Sequence, residues 1–413
     1  MSGAALMPGE PVAADRAAAG PGFPWAVPSG AAQPRAASRA PGPPRSLYVH
    51  FPFCAHRCHY CDFSVKRAAA PPVGRWLSAI ERELTWWFER GGWEAGTVLD
   101  TIFVGGGTPS LLGAAGMEEL AERIAAWFRV DPRHTEWTVE ANPASFDVDL
   151  GMRWRVAGVS RLSLGVQAFD DAVLAWLGRL HDRRRAMEAV REVKAAGFDG
   201  VSLDLLFGLP PEVTRDLAAE VETAVSLGVS HVSLYGLTVE PRTPLAEWIR
   251  LGRVRAPDEN RYAAEYRLLS GGLRAAGYDH YEVSNFARPG AQCRHNWAYW
   301  NRTSYLAVGP SAHGFLPPVR SWNVFHWDRY ERALDAGRGP LDGWERVGAA
   351  EEELERIWLD LRTQRGIGPG GPRLERWTEA GWLEERNGRW VATIEGWLRL
   401  DAIVAELAGA EGR

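Results

Sequence analysis

The stretch Tyr48-Val-His-Phe-Pro-Phe-Cys-Ala-His-Arg-Cys-His-Tyr-Cys-Asp-Phe63 holds three of the four cysteines in a chain of 413 residues: Cys54, Cys58 and Cys61. Three residues separate the first pair and two the second. Structural zinc sites usually take four tetrahedral ligands, often as paired Cys-x-x-Cys turns, whereas this run offers three unevenly spaced thiols. Zinc would need help from His56 or His59, and three inert buried thiols are a further reading. A cubane iron–sulfur cluster on three thiolates keeps one iron open to a ligand. Three cysteines in a short, Pro-containing loop suit that role better than they suit a core.

Composition narrows the field around this loop. A formal charge of −5 and a pI near 6.1 leave no basic footprint, so no nucleic-acid partner is expected. Hydrophobic residues make up 46% of the chain, enough for a sizeable core. No apolar run reaches the roughly 18 residues of a membrane span, so no integral membrane segment is expected. The first 45 residues lack a basic start followed by an apolar stretch, and no secretory signal is expected. Rich in Ala, Pro and Gly, residues 1–45 predict a disordered tail, or an over-extended start. Few, clustered thiols argue against a disulfide scaffold and for a reducing compartment, the cytoplasm.

From residue 46 to 236 short apolar strands alternate with amphipathic helices. Strands are predicted at 47–51, 98–104, 137–140, 161–166, 201–207 and 231–236, with helices at 75–90, 117–128, 184–196 and 215–227. Such alternation implies parallel strands with right-handed crossovers, and six units make an α/β fold of incomplete (β/α)6 barrel type. Polar residues cluster at the predicted strand ends: Gly105-Gly-Gly-Thr-Pro-Ser110, Glu140, Gln167 and Asp204. In barrels those ends line the active site. Residues 237–345 read as a mixed α+β extension, with a helix at 258–276, a strand at 281–286 and an apolar, Gly-containing segment at 305–315. Residues 346–413 read as helix, helix, hairpin (Asn387-Gly388) and helix, a small winged-helix-like domain.

Cys-x3-Cys-x2-Cys just after a short apolar strand resembles the cluster loop of radical S-adenosylmethionine (SAM) enzymes. The resemblance implies a [4Fe-4S] cluster whose open iron chelates SAM. An electron from a donor such as a flavodoxin or ferredoxin then cleaves SAM to methionine and a 5′-deoxyadenosyl radical. Gly105, Gly106, Gly107 and Thr108 look like the segment that holds the methionine end of SAM. Val139-Glu-Ala-Asn-Pro143, Ser163-Leu-Gly-Val-Gln-Ala-Phe169 and Ser202-Leu-Asp-Leu-Leu-Phe-Gly-Leu-Pro210 are similar to phrases of the oxygen-independent coproporphyrinogen III oxidases and their relatives. The likeness runs over roughly 47–315. It implies that Tyr48, Gly106 and Glu140 touch the cluster-bound SAM. Tyr60, Gly107, Thr108, Gln167, Arg179 and Asp204 match oxidase contacts to a second SAM.

One residue departs from the oxidases, which carry a further cysteine two places after the third. Here that place is Phe63, and Cys61-Asp-Phe63 resembles the HemW-type heme chaperones, so Phe63 joins the expected cofactor-binding loop. His-Asn-x-x-Tyr-Trp, within Cys293-Arg-His-Asn-Trp-Ala-Tyr-Trp300, is similar to the heme-binding signature of the same subgroup and makes His295 the expected heme ligand. Imidazole suits axial iron, although a hydrogen-bonded core histidine is the plainer reading. Cys293 is expected to be buried, His313 has no assigned role, and no catalytic residue is assigned. The expected function is a heme-binding radical SAM protein, a chaperone passing heme to an acceptor protein. Two alternatives stand beside it: anaerobic oxidative decarboxylation of coproporphyrinogen III, and a zinc-stabilised structural or interaction protein.

Overall fold

The computed structural model describes residues 42–368 and 373–408, so most of the expected tail at 1–45 lies outside the described residues. In chain order the elements are β1 (Ser46–Phe51), α1 (Val73–Gly91), β2 (Thr101–Gly106), α2 (Gly113–Ala125), β3 (Glu136–Ala141), α3 (Val148–Val156) and β4 (Arg161–Gln167). There follow α4 (Arg183–Ala195), β5 (Gly200–Phe207), α5 (Leu217–Ser226), β6 (His231–Gly236), α6 (Glu259–Ala275), β7 (Asp279–Glu282) and β8 (Asn285–Ala287). Next come α7 (Arg294–Trp300), β9 (Tyr305–Val308), β10 (His313–Leu316), β11 (Val319–Asn323), α8 (Trp327–Asp335) and β12 (Leu341–Arg346). The chain ends with α9 (Ala349–Leu361), α10 (Arg373–Glu379), the β13–β14 hairpin (Leu383–Arg386, Arg389–Ala392) and α11 (Leu400–Ala408). All six predicted barrel strands are present, and the architecture is α/β. No helix among the described residues is long and apolar enough to cross a membrane.

In space the chain forms two compact units that interleave along the sequence. One gathers the described residues up to Gly165 with Arg184–Val201 and Ser304–Arg346; the other holds Val166–Arg183, Ser202–Thr303 and the residues from Val347 on. In the first unit β1 lies between two parallel neighbours, β2 and β9. Beyond β2 come β3 and the start of β4, also parallel. Beyond β9, strands β10, β11 and β12 continue antiparallel. Every residue of β1 is buried, which is why the strand is nearly unbroken apolar sequence: both faces are covered. Helix α1 turns Trp76, Ile80, Leu84 and Trp87 inward and stops at Gly92, whose φ of 59° lets its N–H and that of Trp93 close the last turn.

In the second unit β5 and β6 are parallel, and β8 then β7 add antiparallel beside β6. Two predicted strands divide. The one expected at 98–104 breaks because the N–H groups of Leu99 and Asp100 bond to Arg129 O and Arg45 O, leaving Thr97–Val98 and β2 on either side. The one expected at 281–286 is the β7–β8 hairpin, and its turn is satisfied by Leu234 N donating to Ser284 O and the Tyr266 hydroxyl donating to Val283 O. Asn387 and Gly388, at φ 52° and 75°, make the predicted left-handed turn of the last hairpin.

His280 on β7 stacks on Phe286 (3.8 Å between centroids), meets Trp397 edge-on (4.3 Å) and bonds Ser270 Oγ at 3.0 Å. Burial lowers its pKa to about 3. A depressed folded-state pKa supplies stability that is complete above about pH 6.5 and is lost as pH falls towards 3. The stability advantage of the wild type over His280→Gln should therefore shrink by about 3 kcal/mol between pH 7 and pH 4 in urea titrations. A difference that does not change with pH would mean the imidazole is hydrated in the folded state.

Candidate functional site

The cysteine loop leaves β1 at the carboxyl end of the strand. Cys54, Cys58 and Cys61 are free thiols, each half-buried, and Cys61 N bonding Cys58 O at 3.3 Å tightens the second half of the loop. The Thr108 hydroxyl donates to Cys54 Sγ at 3.3 Å. Burial pushes the Cys61 thiol above its ordinary value, against a hydrogen bond with the Phe63 backbone. Tyr60 is buried and Phe63 half-buried in the same loop. Among the described residues no three His, Cys, Asp or Glu side chains are gathered to hold one metal ion. Three thiols are soft donors of the kind iron–sulfur clusters take.

The glycine run is explained first by the protein itself. A Cβ on Gly105 would come within 3.0 Å of the Glu140 carboxyl, one on Gly106 within 2.5 Å of the His50 ring, and one on Gly107 within 2.5 Å of Phe53 O. The run instead lies flat on the cysteine loop: Gly107 N donates to Phe51 O (2.7 Å) and Thr108 N to Phe53 O (2.8 Å). Gly106, at φ 109°, donates its N–H to Glu140 Oε2 at 3.0 Å.

His50, which sequence reasoning passed over, ties these parts together. Its Nε2 lies 3.1 Å from Ser64 O and its Nδ1 3.1 Å from the Tyr48 hydroxyl. Burial lowers its pKa to about 4, so the ring is neutral near pH 7. A carbonyl can only accept, so Nε2–H donates to Ser64 O and Nδ1 accepts from Tyr48. The missed signal was spacing, because Tyr48 and His50 are two apart on one strand face.

The segment from β9 to α8 supports the loop from below. Glu83 of α1, fully buried, accepts from Gly309 N (2.7 Å), Asn323 Nδ2 (2.7 Å), the Tyr330 hydroxyl and Trp87 Nε1 (3.3 Å). Burial pushes its carboxyl up to about 7 against those donors. Gly309 in turn lies so close to His50 that a Cβ would stand 2.5 Å from His50 O. The Ser64 hydroxyl donates to Phe325 O, and the Phe53 ring meets Trp327 edge-on at 5.4 Å.

Tyr48, Tyr60, Phe63, Gly105 to Thr108, Glu140 and the three cysteines thus belong to the first unit, whereas Gln167, Arg179, Asp204 and His295 belong to the second. Gln167 ends β4 at φ 73°, rare for a side chain with a Cβ, and its buried Oε1 has no hydrogen-bond partner. Just beyond it Phe169 N donates to both Glu220 oxygens (2.9 and 2.8 Å), and beyond β5 Gly208 N donates to Glu265 Oε2 at 2.8 Å. Arg179 is half-buried and Asp204 buried on β5. A buried relay follows: Ser202 Oγ to His231 Nδ1 (2.7 Å), His231 Nε2 to the Tyr281 hydroxyl (2.9 Å), and Cys293 N to that hydroxyl (3.3 Å). It fixes the start of α7. On that helix His295 is fully buried, its Nε2 is 2.9 Å from the Tyr299 hydroxyl, and burial lowers its pKa to about 3.

Fold and loop together define a radical SAM protein: the family model of the Radical SAM superfamily matches residues 48–222. Coproporphyrinogen III oxidase (HemN) from Escherichia coli, described as a radical SAM enzyme, shares the fold. Its TM-score is 0.75 over 89% of this chain and 91% of its own, at 20% identity. Heme chaperone HemW of Mycobacterium tuberculosis (strain H37Rv) is 40% identical over 89% of this chain and 96% of its own length. HemW of Bacillus subtilis is 34% identical over 78% and 84%, and that of Escherichia coli 34% over 88% and 97%. The chain belongs to the HemW family of heme chaperones.

Proposed function

We propose that this chain binds heme and passes it to an acceptor protein. A [4Fe-4S] cluster sits on Cys54, Cys58 and Cys61, and SAM lies against Tyr48, the Gly105–Thr108 run and Glu140. Tyr60, Phe63, Gln167, Arg179 and Asp204 are the further SAM contacts and His295 the heme ligand. The protein works in the cytoplasm with a flavodoxin- or ferredoxin-type electron donor. The observation that carries this is the loop: three free thiols, one bonded by Thr108, with Phe63 where the oxidases carry a further cysteine. Thiolates are the soft ligands of iron–sulfur clusters.

When bound, the cluster supplies the electron that cleaves SAM. The chain's own residues hold the stage. The Thr108 hydroxyl withdraws charge from the Cys54 sulfur, and hydrogen bonds to ligand sulfurs raise a cluster's potential. The His50 tautomer fixes the Tyr48 hydroxyl. His295, neutral at ordinary pH, need lose no proton to ligate iron, but its ring is covered, and Nε2 is reached only by displacing Tyr299.

Anaerobic reconstitution with iron, sulfide and zinc analysis, then heme titration and an assay for SAM cleavage, tests this function. Zinc without iron or sulfide would sink it. Protoporphyrinogen formed from coproporphyrinogen III, SAM and reductant would decide for the oxidase reading, which the HemN fold keeps in play. His295→Ala should weaken heme binding roughly tenfold or more while iron and sulfide stay at the wild-type level. Undiminished affinity would move the ligand elsewhere.

A further inference from the structure

The imidazole assigned to heme is closed by a residue four places along its own helix. His295 and Tyr299 stand one turn apart on the same face of α7. The phenol ring meets the imidazole edge-on, with 5.0 Å between centroids and 84° between planes, and its hydroxyl lies 2.9 Å from Nε2. His295 is fully buried, whereas Tyr299 is half-buried and so reaches the surface. A ring nitrogen has one bonding direction, outward in the ring plane, filled by a lone pair or by N–H. At Nε2 the Tyr299 oxygen stands in it.

The helix is held at both ends. At its start Cys293 N donates to the Tyr281 hydroxyl (3.3 Å), and Trp297 Nε1 donates to Gln292 Oε1 (2.7 Å). At its end Arg365 donates to Asn301 Oδ1, to Trp300 O (3.3 Å) and to the buried carboxylate of Asp360. Arg302, at φ 52°, pairs with Glu352 (3.1 Å) and Glu355 (3.0 Å). Unwinding α7 would break these contacts together. Turning the Tyr299 side chain to another staggered rotamer breaks the bond to Nε2 and leaves the helix in place.

We propose that Tyr299 is an autoinhibitory latch: its hydroxyl competes with heme iron for His295 Nε2, so the empty protein holds its own ligand site closed. The latch rests on the reading of His295 as the heme ligand. In the exchange Nε2 gives up one hydrogen bond and takes one bond to iron. The phenol keeps its proton and turns to water, which satisfies its hydroxyl. Where Nε2 carries the ring proton, that proton moves to Nδ1, because iron takes a lone pair. The bond exists only in the heme-free state, so it weakens the apparent affinity by the fraction of molecules whose imidazole is open. A carrier that must surrender its cargo gains from such a competitor, which retakes the nitrogen as heme leaves. Removing the hydroxyl costs only the empty state a buried hydrogen bond, so the variant binds heme more tightly.

The test is hemin titration of the reconstituted full-length protein as wild type, Tyr299→Phe, His295→Ala and the double variant. Tyr299→Phe should lower the hemin dissociation constant about threefold to tenfold and leave iron and sulfide at wild-type levels. In the His295→Ala background the same change should have no effect, because the contested nitrogen is gone; a merely structural role would not depend on His295. Wild-type affinity in Tyr299→Phe, or equal tightening without His295, overturns the latch. Weaker binding in Tyr299→Phe also overturns it and makes the phenol a contact to heme. If Tyr299→Phe does not fold, Tyr299→Leu, which also lacks the hydroxyl, is read the same way. Wild-type protein that binds no hemin, or undiminished affinity in His295→Ala, overturns the heme-ligand reading together with the latch, whereas failure of the Tyr299 variants alone overturns the latch only.

Discussion

Serine at any one of Cys54, Cys58 or Cys61 is expected to take the reconstituted protein from about four irons per chain to nearly none, and to abolish a broad absorption band near roughly 400 nm. A serine hydroxyl is a hard, weakly acidic ligand that does not ionise at neutral pH, so it cannot replace a thiolate on iron. The fold should survive the change. The three thiols are half-buried in a loop outside the main sheet, and the Cys54 sulfur accepts from Thr108 without closing any element of that sheet. Cys293→Ser is the matched control. That thiol is buried at the start of α7, where serine is a better helix cap, and iron content should not change. Full iron retention in Cys58→Ser, measured beside the control, would remove the cluster from this loop.

Glu83→Ala should be the most destabilising single substitution away from the loop. It strips the acceptor from Gly309 N, Asn323 Nδ2, the Tyr330 hydroxyl and Trp87 Nε1 at once, in a place closed to solvent. Each orphaned donor costs about 1–3 kcal/mol, and water entering the new space returns part of that, so a net loss of about 5 kcal/mol is expected. Total stabilities of about 5–15 kcal/mol leave little margin for it. Urea unfolding, or soluble yield where unfolding cannot be followed, measures the effect. Glu83→Gln keeps one acceptor oxygen and should lose less. A midpoint within error of the wild type in Glu83→Ala would show that the network is dispensable. Because Gly309 packs on the His50 carbonyl, Glu83→Ala should also lower cluster occupancy in whatever protein folds.

Much of this was legible beforehand, for local reasons. Parallel strands covered on both faces read as continuous apolar runs, the cysteines announce themselves by spacing, and Asn387-Gly388 is a left-handed turn in two letters. What escaped was non-local. Nothing in Tyr305–Val308 says that it will lie parallel beside β1, some 250 residues earlier, because both are simply apolar strands. The hairpin at Val283-Ser284 carries no Gly or Pro; its turn exists because β6 and Tyr266 take its carbonyls. Glu83 occupies a position that helix periodicity gives to the core, three after Ile80 and four before Trp87, yet a glutamate there reads as surface until its four donors are seen. The candidate site divided the same way. The ligand types could be read, whereas His50 owes its place beside the glycine run to strand pairing. The close packing behind the glycine run was not legible either: a Cβ on Gly105, Gly106 or Gly107 would meet Glu140, His50 or Phe53.

The Glu83 network also sets an order of events during biosynthesis. The cysteine loop leaves the ribosome early, but the partners that brace it come late: Gly309 is 226 residues after Glu83, Tyr330 is 247 after it, and Phe325 is 261 after Ser64. At about 5–20 residues per second, the nascent chain carries three unbraced thiols for roughly 15–50 s. A cluster delivered in that interval would enter a loop whose floor is not yet built. On the proposed cluster reading, iron–sulfur loading belongs after β11 and α8 have been made, with the thiols kept reduced until then.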